Sequence, residues 1–200
     1  MSGKLDLRSK DPKLNIDVEL SGYFLKKYFA YKKYLSGVDK KHALYYIISR
    51  YLGGVRIDNI SIPKTKGENI IFNVTGFYLN FAKNKTSVTV FPFFNILDHQ
   101  YLDRRDAAIY IDFPYSIDVN IDIEENYGSS RKLLFEPKRI GNDSYYADYV
   151  FKNVGDKYSV QQNLSVNILT SPLENHADWN TFIKEVKSLE NYPIIYELAK

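Results

Sequence analysis

The residues of this chain with the types and spacing for chemistry fall into a few groups. His42, His99 and His176 are its only histidines, and they form neither an i, i+4 pair nor a His-x-His. Without that spacing they lack the grammar of a zinc site and read as surface residues. The absence of cysteine removes thiolate nucleophiles, thiolate metal sites and disulfides together, while saying little about redox compartment. No Gly-x-Ser-x-Gly elbow or Gly-rich phosphate loop occurs, and Gly53-Gly54 reads more simply as a helix stop. No nucleophile stands beside a recognisable base. The expectation is a non-enzyme with no catalytic, cofactor-binding or metal-binding residues.

Two acidic sets, Asp17 with Glu19 and Asp118 with Asp122, Glu124 and Glu125, have the carboxylates that a hard cation such as calcium prefers. Their alternation with apolar residues instead places them on the wet face of strands. The tract Lys26-Lys27-Tyr28-Phe29-Ala30-Tyr31-Lys32-Lys33-Tyr34 couples cationic charge to stacking rings, the combination that single-stranded nucleic acid uses. Yet 27 basic against 24 acidic residues leave a net charge of only +3, so the plainer reading is a packed element with lysine stems along its edge. No nucleic-acid partner is expected. In Asp103-Arg104-Arg105-Asp106 the charges can pair among themselves, an exposed arrangement worth about 0–1 kcal/mol. The functional alternative is that Arg104 or Arg105 reaches a carboxylate or backbone carbonyls of a neighbouring domain.

The elements that must position these groups are mostly strands. Leu14, Ile16, Val18 and Leu20 alternate with Asn15, Asp17 and Glu19, and Ile117, Val119, Ile121 and Ile123 alternate with Asp118, Asn120, Asp122 and Glu124. A period of two with one wet face is the mark of a half-buried strand. Further strands are expected over 55–62, 70–82 with a bulge at Gly76, 87–94, 107–113, 131–135, 145–152 and 158–169, with a short last one at 194–198. Residues 22–35 fit both a helical stripe and a ring-rich strand. Asp39 as cap, Leu44, Ile47, Ile48 and Tyr51 at helical spacing and Gly53-Gly54 as stop predict a helix over 39–52. Ser171, Pro172 and Glu174 form a capping box for a helix over 172–190, whose stripe of Trp179, Phe182, Ile183 and Val186 makes Trp179 a structural anchor.

A chain of 200 residues buries roughly 70% of its unfolded surface. The expected fold is therefore mainly β, a single antiparallel β-sandwich over 1–200 with two peripheral α-helices, residues 1–12 being a flexible start. The 18 Tyr and 12 Phe suit pleated surfaces better than helices. No run approaches 18 apolar residues and no apolar signal region follows Met1, so no membrane span is expected.

Phe91-Pro92-Phe93-Phe94, then Tyr101-Leu102-Asp103-Arg104-Arg105, then Ile109-Tyr110-Ile111-Asp112-Phe113-Pro114-Tyr115 resembles the region downstream of the catalytic core in transglutaminase-like proteins of Bacteroidetes, a C-terminal domain of unknown function. In that family an apolar strand ends in a Pro-Phe pair, an Arg-bearing loop follows, and a strand closes in a Phe-Pro-Tyr-like turn. The likeness extends to Leu173–Val186 as the last helix and Pro193–Leu198 as the closing strand. A transglutaminase-like core needs a cysteine nucleophile, so the resemblance is to its non-catalytic companion. It implies an upstream transglutaminase-like domain in the same polypeptide as partner and a location in the periplasm or cell envelope. It further implies a role in supporting the core or positioning a protein or envelope substrate. An autonomous glycan- or peptide-binding module is the alternative.

Overall fold

Strands with one apolar face need hydrogen-bonded neighbours on both edges, and in the computed structural model these strands find them in one large sheet. The structure describes residues 1–34, 40–83, 87–90, 93–94, 109–110, 114–125, 131–132, 136–154, 157–167, 170–171 and 176–197. The chain opens with strands β1 (Ser2–Asp6) and β2 (Lys13–Leu20) and helices α1 (Gly22–Tyr34) and α2 (Lys40–Ile48). Strands β3 (Val55–Ile60), β4 (Lys64–Lys66), β5 (Asn69–Tyr78), β6 (Phe81–Lys83), β7 (Ser87–Val90) and β8 (Ile109–Tyr110) follow. Then come β9 (Tyr115–Glu124), β10 (Arg131–Lys132), β11 (Lys138–Gly141), β12 (Tyr145–Val154), β13 (Lys157–Val166) and β14 (Thr170–Ser171). Helix α3 (His176–Glu190) and β15 (Ile194–Glu197) close it.

The protein is mainly β, as its alternation predicts. Its large sheet has the order β11-β12-β13-β9-β1-β2-β5-β3, with β4 also on β5; a second sheet runs β10-β15-β7-β6, and β14 pairs β8. Four corrections follow. The large sheet is mixed rather than purely antiparallel, because β1 is antiparallel to β2 but parallel to β9. Alternation of side chains carries no information about strand direction, so this pairing leaves no local signal. Residues 1–12 are not a flexible start: β1 lies inside the sheet with Leu5 and Leu7 fully buried. The span 70–82 is two strands in different sheets, β5 and β6, rather than one. The ambiguous stretch at 22–35 is helical over Gly22–Tyr34, which makes three helices instead of two.

One face of the large sheet forms the core. Leu14, Ile16, Val18 and Leu20 of β2, Ile117, Val119, Ile121 and Ile123 of β9, and Tyr158, Val160, Leu164 and Val166 of β13 point to it. Helix α2 contacts β3, and α3 lies on β11 and β12. After β7, Phe93 and Phe94 enter the same core, Phe93 edge-on to Tyr149 at 5.1 Å and Phe94 edge-on to Tyr78 at 6.1 Å. A buried side chain bonds the main chain of Phe94. Gln162 donates Nε2–H to the Phe94 carbonyl at 3.0 Å and accepts the Phe94 N–H at 2.8 Å. Both backbone polar groups of Phe94 are thereby satisfied inside the core.

Two glycines are fixed by geometry. Gly54 ends the α2 region with φ +77 and its Asn80-facing side closed, so a Cβ would meet the Asn80 amide at 2.1 Å. Gly76 lets β3 approach: a Cβ there would sit 2.5 Å from the Arg56 carbonyl, and the register shift between Ile57 and Asn59 lies on β3 opposite it. The bulge expected at Gly76 thus falls on the facing strand. Gly54→Ala should lower stability by about 1–2 kcal/mol from the left-handed backbone alone, read as a lower urea midpoint with unchanged slope.

Candidate functional site

Strand β1 lies inside the large sheet, held on both sides by β2 and β9. It pairs Ser2 to Asp6 with Asp17 to Lys13 of β2 and with Asn120 to Glu124 of β9. Met1 adds one more position, its ammonium donating to the Asp118 carbonyl at 2.7 Å and its carbonyl accepting the Asn120 N–H at 2.9 Å. Beyond Met1, β2 continues through Glu19 and Leu20 while β9 starts at Tyr115. The two strands there are separated by two strand spacings, about 10 Å.

Backbone alternation decides what faces this cleft. The N–H and C=O of successive strand residues point to opposite neighbours. On β2, Leu14, Ile16, Val18 and Leu20 share parity with Pro12, which accepts from Tyr78 on the β5 side. Glu19 therefore directs both its N–H and its C=O away from β5, into the cleft. On β9, Asp118 and Asn120 serve β1, so Ser116, two residues earlier, and the Asp118 N–H turn the same way. The far end is closed by α1, whose Leu25 N–H bonds the Ser21 carbonyl at 3.3 Å.

The cleft holds about 260 Å³ and is lined on its inner side by Leu20, Phe24, Ile47, Ile48, Tyr51 and Ile117. That exceeds the roughly 150 Å³ apolar cavity that accommodates benzene. The Phe24 ring stands edge-on to Tyr51 at 5.5 Å and to Tyr115 at 5.8 Å, which holds the floor in place. Outward, the cleft shares Met1, Val18 and Glu19 with a hollow of about 570 Å³ on the wet face, bordered by Asp17, Ile62, Lys64, Lys66 and Asn73. Burial pulls the Met1 ammonium below its ordinary pKa, and the Asp118 and Glu19 carboxylates oppose that pull. Both acids therefore bear on the mouth of the cleft.

These acids and the others are tied into the wet face of the sheet, where Glu19 also pairs with Lys66 at 3.5 Å. Asn73 donates to Asn15 at 2.6 Å and to Asp17 at 3.0 Å, Asn69 donates to Glu19, and Asn163 donates to Asp118. Glu124 accepts from Lys4 at 2.9 Å and Arg8 at 2.8 Å, and Arg8 also grips Asp6. Among the described residues no three His, Asp or Glu side chains gather as metal ligands. The Arg8 hydrogen bonds hold the Asp6 carboxyl below its usual pKa. A depressed carboxylate stabilises the fold above its unfolded-state range, about pH 4, and that contribution fades as pH falls through its lower folded value. Asp6→Asn should flatten this part of an acid-unfolding curve.

Arg104 and Arg105 lie outside the described residues, as do Asp39, His99 and the capping-box residues Pro172 and Glu174. His42 is exposed on α2, and His176 begins α3. The basic tract forms α1, with Tyr28 buried, Lys27 over the Tyr23 ring at 5.3 Å, and Phe29 and Tyr34 52% and 85% exposed. Trp179 is buried and far from a ligand role, packed edge-on to Tyr145 at 4.9 Å. Sequence reading places Tyr51 only on a helical stripe and gives Ser116 and Phe24 no role, because the non-local pairing of β1 with β9 is what brings them together. The apolar side chains gathered here can accept an aliphatic or aromatic group. No helix among the described residues is long and apolar enough to cross a membrane. Compared with protein-family models, with curated proteins and with solved structures, the chain matches none.

Proposed function

We propose that this chain is a non-catalytic β-rich accessory domain that works by holding another polypeptide, and that its partner is a transglutaminase-like core in the cell envelope. The observation that carries the reading is the outer edge of β3, which among the described residues pairs on one side only, with β5, at one end of the large sheet. Strand addition of this kind draws affinity from main-chain hydrogen bonds and selectivity from alternate side chains. The resemblance described above supplies the partner class. Supporting the core, or holding a protein substrate against it, both need only such a contact.

Sedimentation velocity of the chain mixed with a Bacteroidetes transglutaminase-like catalytic domain should show a one-to-one complex. The chain alone should turn over no peptide or ester substrate. Absence of a complex, or turnover abolished by one point substitution in this chain, would overturn the proposal. A second reading has its own observation: Phe29, Tyr34, Tyr45 and Tyr46 expose their rings on α1 and α2, as a glycan- or peptide-binding module would. Glycan titration that perturbs those four rings would favour it.

A further inference from the structure

We infer that the outward face of α1, with the rim of β4 beside it, rests on an anionic lipid surface. This contact is separate from the grip on a partner chain at β3.

Charge is spread unevenly along the chain. Between Gly22 and Gly54 lie seven basic residues and one acid, Asp39, whereas the whole chain holds 27 and 24, so the remainder is net acidic. Neither α1 nor α2 contains an acidic residue. A positive field gathered in one place draws anionic surfaces that the net charge of +3 would not.

Helix geometry turns part of that charge, with an apolar centre, toward solvent. Tyr28 is buried, and Phe24, Leu25 and Tyr31 pack partly buried against the core. On the other side Lys26, Phe29, Ala30 and Lys33 recur at i, i+3, i+4 and i+7, and all four are exposed. A ring between lysines suits the headgroup boundary: the ring sinks among acyl chains, while the lysine stems lie along it and lift their ammonium groups to the phosphates. Beside this stripe a hollow of about 180 Å³ joins α1 to the hairpin of β4 and β5. Leu25, Phe29 and Ile70 line it, and its charged groups are Lys32 and Lys64 against Glu68, so the positive sign continues across the rim.

The rings themselves disfavour nucleic acid. Base stacking needs open ring faces. Lys27 lies over the Tyr23 ring at 5.3 Å and Arg50 over the Tyr46 ring at 4.7 Å, which takes a face of each. Tyr31 spends its ring on Tyr46, at 4.6 Å. What remains outermost on α1 is Phe29 and Ala30, which suit an acyl chain and offer an acidic peptide no hydrogen bond.

Vesicle sedimentation tests the contact with lipid alone. Vesicles of phosphatidylcholine, and of phosphatidylcholine and phosphatidylglycerol in equal parts, are titrated with the chain at low and at physiological salt. The anionic vesicles should bind at least tenfold more tightly than the neutral ones, less so as salt rises. Lys26→Glu with Lys33→Glu should abolish the preference. Lys138→Glu with Lys152→Glu, an equal change of net charge on β11 and β12, should keep it, with urea midpoints verifying that both fold. Phe29→Ser should weaken binding several-fold. Equal binding of the two vesicle types, equal losses in the two lysine variants, or parent-like binding by Phe29→Ser would overturn the assignment. So would an oligothymidylate or a polyglutamate that binds the Lys26–Lys33 face more tightly than the anionic vesicles do.

Discussion

Trp179→Ala lowers the stability of the protein by about 3–5 kcal/mol, the usual range for deleting a buried tryptophan. The side chain is 2% exposed, stands edge-on to Tyr145 at 4.9 Å and lies 5.7 Å from the Phe182 ring. With Phe182, Ile183 and Val186 it forms the stripe by which α3 is fastened over β11 and β12. Removing it takes a large share of the roughly 5–15 kcal/mol that holds a domain together. Urea unfolding should show a much lower midpoint, or the variant should fail to accumulate in soluble form. In the parent protein this sole tryptophan should emit blue-shifted fluorescence and resist iodide. Red-shifted, readily quenched emission from folded protein would contradict the docking of α3.

Gln162→Leu should cost about 1–3 kcal/mol for each Phe94 backbone group it strands, with both the N–H and the C=O affected. Gln162 is 2% exposed and bonds both main-chain groups of Phe94, at 2.8 and 3.0 Å. Leucine matches the amide in bulk but offers no bond, so the penalty is desolvation without compensation. Gln161→Leu serves as the control, because Gln161 has the opposite parity on β13 and faces the wet side. A urea midpoint for Gln162→Leu no lower than that of Gln161→Leu would rule out the clamp.

Much of this architecture is legible because burial follows a local period. In β2 and β9 every second residue is apolar, and those residues are the buried ones. The stripes Leu44, Ile47, Ile48, Tyr51 and Trp179, Phe182, Ile183, Val186 are likewise buried where helical spacing places them. Helix α1 reads ambiguously because its rings sit on several faces: Tyr28 is inside, while Phe29 and Tyr34 are out. The role of Gln162 has a faint signal, a polar residue at the inward parity of β13 between Val160 and Leu164. Nothing local betrays β1 as an interior strand. Gly3, Leu5 and Leu7 alternate too briefly, and Met1 meets Asp118 across 117 residues of chain. The pairing of β1 with β9 is made at long range, and no single segment encodes it. Arg104 and Arg105, the residues the family likeness points to, lie outside the described residues.

The central claim is that this chain acts by holding another polypeptide at the outer edge of β3. Hydrogen exchange of the backbone amides of Val55–Ile60 is followed for the chain alone and with the transglutaminase-like catalytic domain added. The account predicts a one-to-one complex in which the β3 amides turned away from β5 exchange at least tenfold more slowly. No complex, or a complex that leaves every β3 amide unprotected, would contradict it.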